Sequence, residues 1–177
     1  MPSGKTHDAI TFFLVAPTFA ATYFVMQNLP ISAVVTFGML FSGLMFGPDL
    51  DIHSKQYTRW GFFRYLWYPY QACFSHRSRW SHGLLFGTLI RVVYFVGVLT
   101  LFAFLASYIY ATYIGGDLPN LLQMTKTWQK IGDFIRTNIG DYAMPSLLVG
   151  LWIGAASHTF TDMAGTFIKH GKIEDFL

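Results

Sequence analysis

Four apolar stretches joined by polar connectors leave this chain few ways to fold: Ala9 to Met26, Ile31 to Gly47, Gly83 to Ile114 and Met144 to Ile168. Backbone polar groups need partners wherever water is excluded, and a helix supplies them from within the segment. A crossing helix takes about 20 residues, with about 17 as a lower bound. The second stretch is therefore marginal, while the third has length to tilt or to run on into the interface. Only 12% of the 177 residues are charged, 53% are hydrophobic, and the mean hydropathy is +0.40. A particle this small cannot hide so much apolar surface in its own interior, and a bilayer solves that problem. The expectation is an all-α polytopic membrane bundle of about four transmembrane helices with interfacial amphipathic segments, one domain over residues 1–177, with spans near 9–26, 31–47, 83–114 and 144–168.

The connectors fit that threading. Asn28 to Pro30 make a tight turn between the first two spans. The 48–82 loop carries ten aromatic residues between Tyr57 and Trp80, interleaved with Arg59, Arg64, Arg77 and Arg79. That mixture suits headgroup depth. Leu121, Met124, Trp128, Ile131, Ile135 and Ile139 recur at helical steps, predicting an amphipathic helix near 119–139, opened by Asp117 and Pro119 and lying on the opposite face. Lys5 ahead of the first stretch, with Ala20 and Ala21 inside it, also matches a secretory signal, but the apolar run is long for one and Asp8 is an unusual flank. Eight lysines and arginines fall on the face with both termini and the loop, against three on the other. That bias predicts cytoplasmic termini in a bacterial inner or internal membrane. The pI of about 9.0 comes from these flanking residues, so membrane lipids are the expected partner, with another membrane protein as a second candidate and no nucleic acid. The single Cys73 excludes an intrachain disulfide and any multi-cysteine zinc site.

On this threading His7, Asp8, Asp49, Asp51, His53, His76, His82, His158 and Asp162 all reach one face. Imidazole and carboxylate are the usual ligands of zinc and similar divalent ions. Asp49, Asp51 and His53 close the second span in a turn set by Pro48, although aspartates also end helices in water. His76 and His82, six apart, reach a common ion only across a turn, with Ser81 capping the third span and His82 in its first turn. His158 and Asp162 lie four apart on one face of an otherwise apolar span, where ionisable groups are by default functional. The bland alternative is a structural pair packed against Arg91. His7 and Asp8 also read as a capped helix start, and His170 as a solvated surface group. The expected metal ligands are His7, Asp49, Asp51, His76, His82, His158 and Asp162, holding one or two divalent ions: zinc first, manganese or iron as alternatives.

The strings Pro48-Asp49-Leu50-Asp51, His76-Arg77 followed by Ser81-His82, and His158-x-x-x-Asp162 with Gly165-Thr166 resemble a family of small bacterial inner-membrane proteins described as metal-dependent hydrolases, sometimes called LexA-binding. They resemble more closely a related group known only as metal-binding membrane proteins. The resemblance covers nearly the whole chain and implies a helical membrane fold, a metal site on the matching residues and hydrolase chemistry. The family commonly has a small residue and Thr before the second histidine, where this chain has Arg79-Trp80-Ser81. That departure touches substrate fit more than metal binding, and the LexA association implies nothing for this chain. A weaker similarity, to zinc-dependent phospholipase C enzymes, rests on aspartates and helical His-x-x-x-acid pairs around clustered zinc. A shared ligand set does not fix a function.

Two functions of different kinds follow. One is a metal-dependent hydrolase of a phosphoester, including lipid substrates, in which Arg77 and Arg79 grip the phosphate and Asp49, if not a ligand, is the general base. The other is a non-enzymatic membrane protein that uses the metal as a clasp, as a complex subunit or assembly factor. A closed coordination sphere favours the second and an open position the first. A metal carrier fits less well, because carriers place polar groups near the bilayer midplane.

Overall fold

Local chemistry sets the helix ends in the computed structural model, which describes residues 2–76, 78–84 and 86–171. Among these the secondary structure is helical, with no strand. Ser3 caps α1 (Gly4–Phe13) by accepting from the Thr6 amide. The chain breaks at Leu14 and resumes as α2 (Val15–Met26). Pro17 explains the break, since it lacks an amide hydrogen and its ring crowds the carbonyl of residue 13. Gln27 then takes a left-handed conformation, φ 47°, and Asn28 caps α3 (Leu29–Leu44), whose first turn holds Pro30. The expected tight turn is there.

The 48–82 connector is more structured than a surface loop. Pro48–Asp51 forms one 3₁₀ turn, then come α4 (Lys55–Thr58), a second 3₁₀ segment (Gly61–Trp67) and α5 (Tyr68–Cys73). Its aromatics divide in two. Phe62, Phe63, Tyr65, Tyr68 and Trp80 are exposed, as interfacial residues would be, but Trp67 and Tyr70 are wholly buried with Phe46 and Leu50. Trp67 stacks on Phe95 (ring centroids 5.7 Å apart, interplanar angle 5°), and Tyr94 Oη donates to Leu66 O. The connector is therefore partly core, and it is what anchors α6 (Phe86–Tyr113).

The helix α7 (Leu121–Ile139) is amphipathic, as the spacing predicts, but Asn120 opens it rather than Asp117 and Pro119. Asn120 Oδ1 accepts from the Gln123 amide and Gln123 Oε1 accepts from the Asn120 amide, a reciprocal cap. Trp128 Nε1 donates to Thr100 Oγ1, so α7 lies against α6, and it meets α8 (Ala143–His170) at a 92° bend.

The closest helix pairing is α3 with α8, and small residues make it. A Cβ on Gly154 would lie 2.3 Å from Met39 O and 2.8 Å from Gly43 N, and one on Gly38 2.9 Å from Leu147 O. Gly150 and Gly154 form a small-xxx-small stripe that lets backbones meet. Two helical stretches, Gly4–Met26 and Phe86–Tyr113, are long and apolar enough to cross a membrane, or three if the bent α7–α8 pair counts as one. At 16 residues α3 is only about 24 Å long against a hydrocarbon core of about 30 Å.

Candidate metal centre

Four segments deliver the donors. The first turns of α1 bring His7, the 3₁₀ turn after α3 brings Asp49 and Asp51, and the turns before α6 bring His76 and His82. The second half of α8 brings His158 and Asp162. The small-residue seam between α3 and α8 sets the level of His158 one turn below Gly154. Arg91, fully buried in α6, donates to Ser81 O at 2.6 Å and so fixes the turn that carries His82. Gln56, also buried, donates to Gly43 O, accepts from the Asp49 amide and lies 3.4 Å from His158 Nδ1.

The seven expected ligands form one continuous chain. His76 Nδ1 lies 3.0 Å from Asp51 Oδ1, and Asp51 Oδ2 lies 3.4 Å from His82 Nδ1. His82 Nε2 is 3.4 Å from Asp49 Oδ1, whose other oxygen is 3.3 Å from His158 Nε2. Asp162 Oδ2 stands 3.5 Å from the same His158 nitrogen, and its Oδ1 3.3 Å from His7 Nε2. The His7 and His158 rings stack 3.8 Å apart. Asp51 and Asp162 are essentially inaccessible, whereas Asp49 keeps 16% of its side chain exposed.

This donor set fits a metal better than it fits a hydrogen-bond network. Charge-assisted N–H···O bonds run about 2.7–2.9 Å. A tetrahedral ion with bonds of about 2.0–2.2 Å spaces its donors about 3.3–3.6 Å apart. Five of the six separations above fall at 3.3–3.5 Å, and since Asp51 and Asp49 meet opposite nitrogens of His82, only one of those two is a spacing on a shared ion. Both oxygens of Asp162, Asp49 Oδ1, Asp51 Oδ2 and His158 Nε2 are buried with no hydrogen-bond partner. Buried carboxylate oxygens rarely stay unpaired in native proteins, and a cation satisfies them.

The electrostatics favour charged acids. Burial pushes the Asp49 carboxyl up, but the adjacent His158 and His82 rings outweigh it and hold it well below the ordinary value of 3.8. Asp51 behaves alike: burial raises it, His82 and His76 lower it further, and the net direction is down. Burial opposes charge on His82, yet Asp49 and Asp51 raise it above its ordinary 6.5.

Other candidates go elsewhere. His53 is exposed and stacks on Tyr57 (centroids 4.9 Å apart) outside the cluster, so that part of the Asp49–His53 grouping is corrected. Asp8 is bound by Arg59 at 2.7 and 2.9 Å and by Lys55 at 3.3 Å. Ser81 does not cap the third span, nor is His82 in its first turn. Both sit in turns closed by bonds from Ser81, His82 and Gly83 amides to Ser78 and Arg79 carbonyls, and α6 is described from Phe86. The required turn between His76 and His82 does exist, with ring centroids 5.0 Å apart. Arg91 holds Ser81 and Thr88 instead of serving as the counter-charge of Asp162. Arg79 is exposed, Arg77 lies outside the described residues, and His170 is exposed as expected. A polar pocket of about 220 Å³, lined by Gly4, His7, Asp49, Lys55, Gln56 and His158 among others, opens onto the cluster.

The sequence model of the family described as "Uncharacterized metal-binding protein (DUF2227)" matches residues 2–172. The chain belongs to that family. An uncharacterized protein of Aquifex aeolicus (strain VF5) is 28% identical over 133 residues, covering 75% of this chain and 89% of the relative. No solved structure matches. The family description carries metal binding and no activity, and it does not extend to the LexA-binding hydrolases that the motifs resemble.

Proposed function

We propose that this protein is an integral membrane metalloprotein that hydrolyses a phosphoester, with lipid phosphates as the first candidates, at the face carrying its histidines and aspartates. The observation that carries the reading is the pocket on Asp49. A structural metal site is closed, whereas here a polar cavity reaches His7, Asp49 and His158 from outside. The membrane part rests on exposure. Only 6% of the apolar window is buried in each of Gly4–Met26 and Phe86–Tyr113, which leaves apolar surface that water does not tolerate. In this reading α3 and α8 cross beside them, the short α3 shielded by its seam with α8. The count of basic side chains supports the cytoplasmic side for the cluster.

Hydrolysis forms a bond from water oxygen to phosphorus, breaks the ester P–O bond and returns a proton to the departing alkoxide. Divalent ions on the seven ligands would supply an acidified water and neutralise charge on the leaving oxygen. The protein's own part is positioning. Arg91 and Gln56 fix the ligand turns, and Lys55, half-exposed on the pocket wall and paired with Asp8, would turn its remaining ammonium hydrogens to a phosphate. Lys55 would add to the phosphate grip expected of Arg77 and Arg79. Detergent-purified protein loaded with zinc, manganese or iron should release phosphate or alcohol from a panel of phosphomonoesters, phosphodiesters and lipid phosphates, and His158→Ala should abolish it. No turnover on any member with any of the three metals would defeat the hydrolase reading. The structural-clasp reading has one observation in its favour: the cluster ties α1, α8 and the connector together. It gains if metal removal unfolds the protein while loaded protein stays inert.

A further inference from the structure

We infer that the centre holds two divalent ions in matched sites joined by Asp49, each site built from two histidines and one aspartate plus one oxygen of that shared carboxylate. The inference rests on the metal-centre reading above and deepens it. The donors separate into two groups whose atoms lie within 4.8 Å of one another: Asp49, Asp51, His76 and His82 in one, His7, His158 and Asp162 in the other. Without Asp49 the two are chemically identical triads, His76–His82–Asp51 and His7–His158–Asp162. Asp49 alone touches both, with Oδ1 3.4 Å from His82 Nε2 and Oδ2 3.3 Å from His158 Nε2.

Charge and capacity point the same way. Seven side chains exceed the four donors of one tetrahedral ion. Asp51 and Asp162 stand at opposite ends of the chain, both with side chains at most 1% exposed. A single ion beside one of them leaves the other buried carboxylate without a metal charge to balance it, a costly arrangement. Two ions neutralise both ends. Asp162 has both oxygens buried and without hydrogen-bond partners, and Asp51 Oδ2 and His158 Nε2 share that state, so each group contributes an unpartnered, nine-tenths-buried donor. The assignment also settles Asp49. With one oxygen directed to each group it is a bridging ligand and not the general base, and its exposed edge faces the pocket that His7 and His158 also line.

The test is metal counting on the full chain in detergent. Metal-free protein titrated with Zn²⁺ and analysed by elemental mass spectrometry should saturate at two equivalents. Loaded with Mn²⁺, it should give the exchange-coupled electron paramagnetic resonance signal of a pair sharing a carboxylate. His76→Ala and His7→Ala should each retain one equivalent and lose the coupling. Saturation of the wild type at one equivalent, or two uncoupled Mn²⁺ ions, overturns the inference without any variant having to fold. Phosphoester turnover by a one-ion protein would keep the hydrolase reading and remove this one. Two coupled ions with no turnover would do the reverse.

Discussion

Replacing Gly154 by Ala should damage the metal centre from one helical turn away. The added methyl would sit 2.3 Å from Met39 O, 2.8 Å from Gly43 N and 2.8 Å from Ser42 Cβ. Two of these are backbone atoms of α3, so no rotamer change relieves them. Because real Cβ atoms essentially never come within 3.0 Å of a neighbour, α8 must retreat by roughly 0.7 Å. His158 rides on the same rigid helix four residues later and has to stay with Asp49 on the connector, 3.3 Å away. Ligand distances tolerate about ±0.2 Å, so a shift of this size should cost more in metal affinity than in folding. Overpacking of this kind costs about 1–3 kcal/mol, which corresponds to roughly a 5- to 150-fold weaker zinc affinity if it falls mainly on the metal-bound state. Competition titration with a chromophoric chelator reads that change directly. Gly97→Ala on α6, where an added methyl meets nothing within 4 Å, is the matched control and should bind like wild type. Wild-type affinity in Gly154→Ala would show that the α3–α8 seam does not set the ligand geometry.

Three further outcomes follow from the same structure. Arg91→Leu removes the donor to Ser81 O inside the protein, and it should cost about 2–4 kcal/mol and reduce metal binding through His76 and His82 while sparing His7 and Asp162, as read by metal content and thermal unfolding. The metal-induced rise in melting temperature should grow from about pH 5 to about pH 8, because ligand histidines must shed protons to bind. The metal-free protein works in the opposite sense. The raised His82 stabilises it fully below its ordinary 6.5 and less as pH climbs through the folded value, while the lowered Asp49 and Asp51 contribute above 3.8 and lose that contribution in stronger acid. A metal-induced shift that is flat or falling over that range would contradict imidazole ligation. Phe95→Ala deletes a ring packed on Phe46, Trp60 and Trp67, and it should cost about 2–4 kcal/mol with a red shift in tryptophan emission as α6 loosens from the connector.

The helices and donors were legible because both rest on local rules. Apolar runs bounded by Asn28, Pro30 and Gly171 mark helix ends, and His158 and Asp162 at four-residue spacing declare a shared face before any tertiary fact is known. The connector hid more. Nothing in the order of its aromatics separates Trp67, which is core, from Tyr68, which is exposed, since that division depends on how a 3₁₀ segment passes into α5 against α6. Gln56 carries no signal at all, as its role exists only where Gly43 O, the Asp49 amide and His158 converge. The Gly150-x-x-x-Gly154 spacing marks α8 for a close helix contact but does not name α3 as the partner. Arg91 was visible as a lone charge in an apolar run, but not that it would serve a backbone carbonyl in the ligand turn.

Seam and cluster are two parts of one solution. A helix carrying His158 and Asp162 into an apolar setting would by itself be expelled or would lose its charges to protonation. The glycines above allow α8 to lie against α3 closely enough that the chain leaving α3 delivers Asp49 within 3.3 Å of His158 almost at once. Arg91 and Asp8 act at the rim in the same way, the first holding the His82 turn and the second tying α1 to Arg59 and Lys55 of the connector. Every segment that contributes a ligand is thus fixed by a contact that is not itself a ligand. Such a frame can meet a metal with its donors already placed, which keeps the ordering cost of binding low and leaves the Asp49 edge open to the pocket.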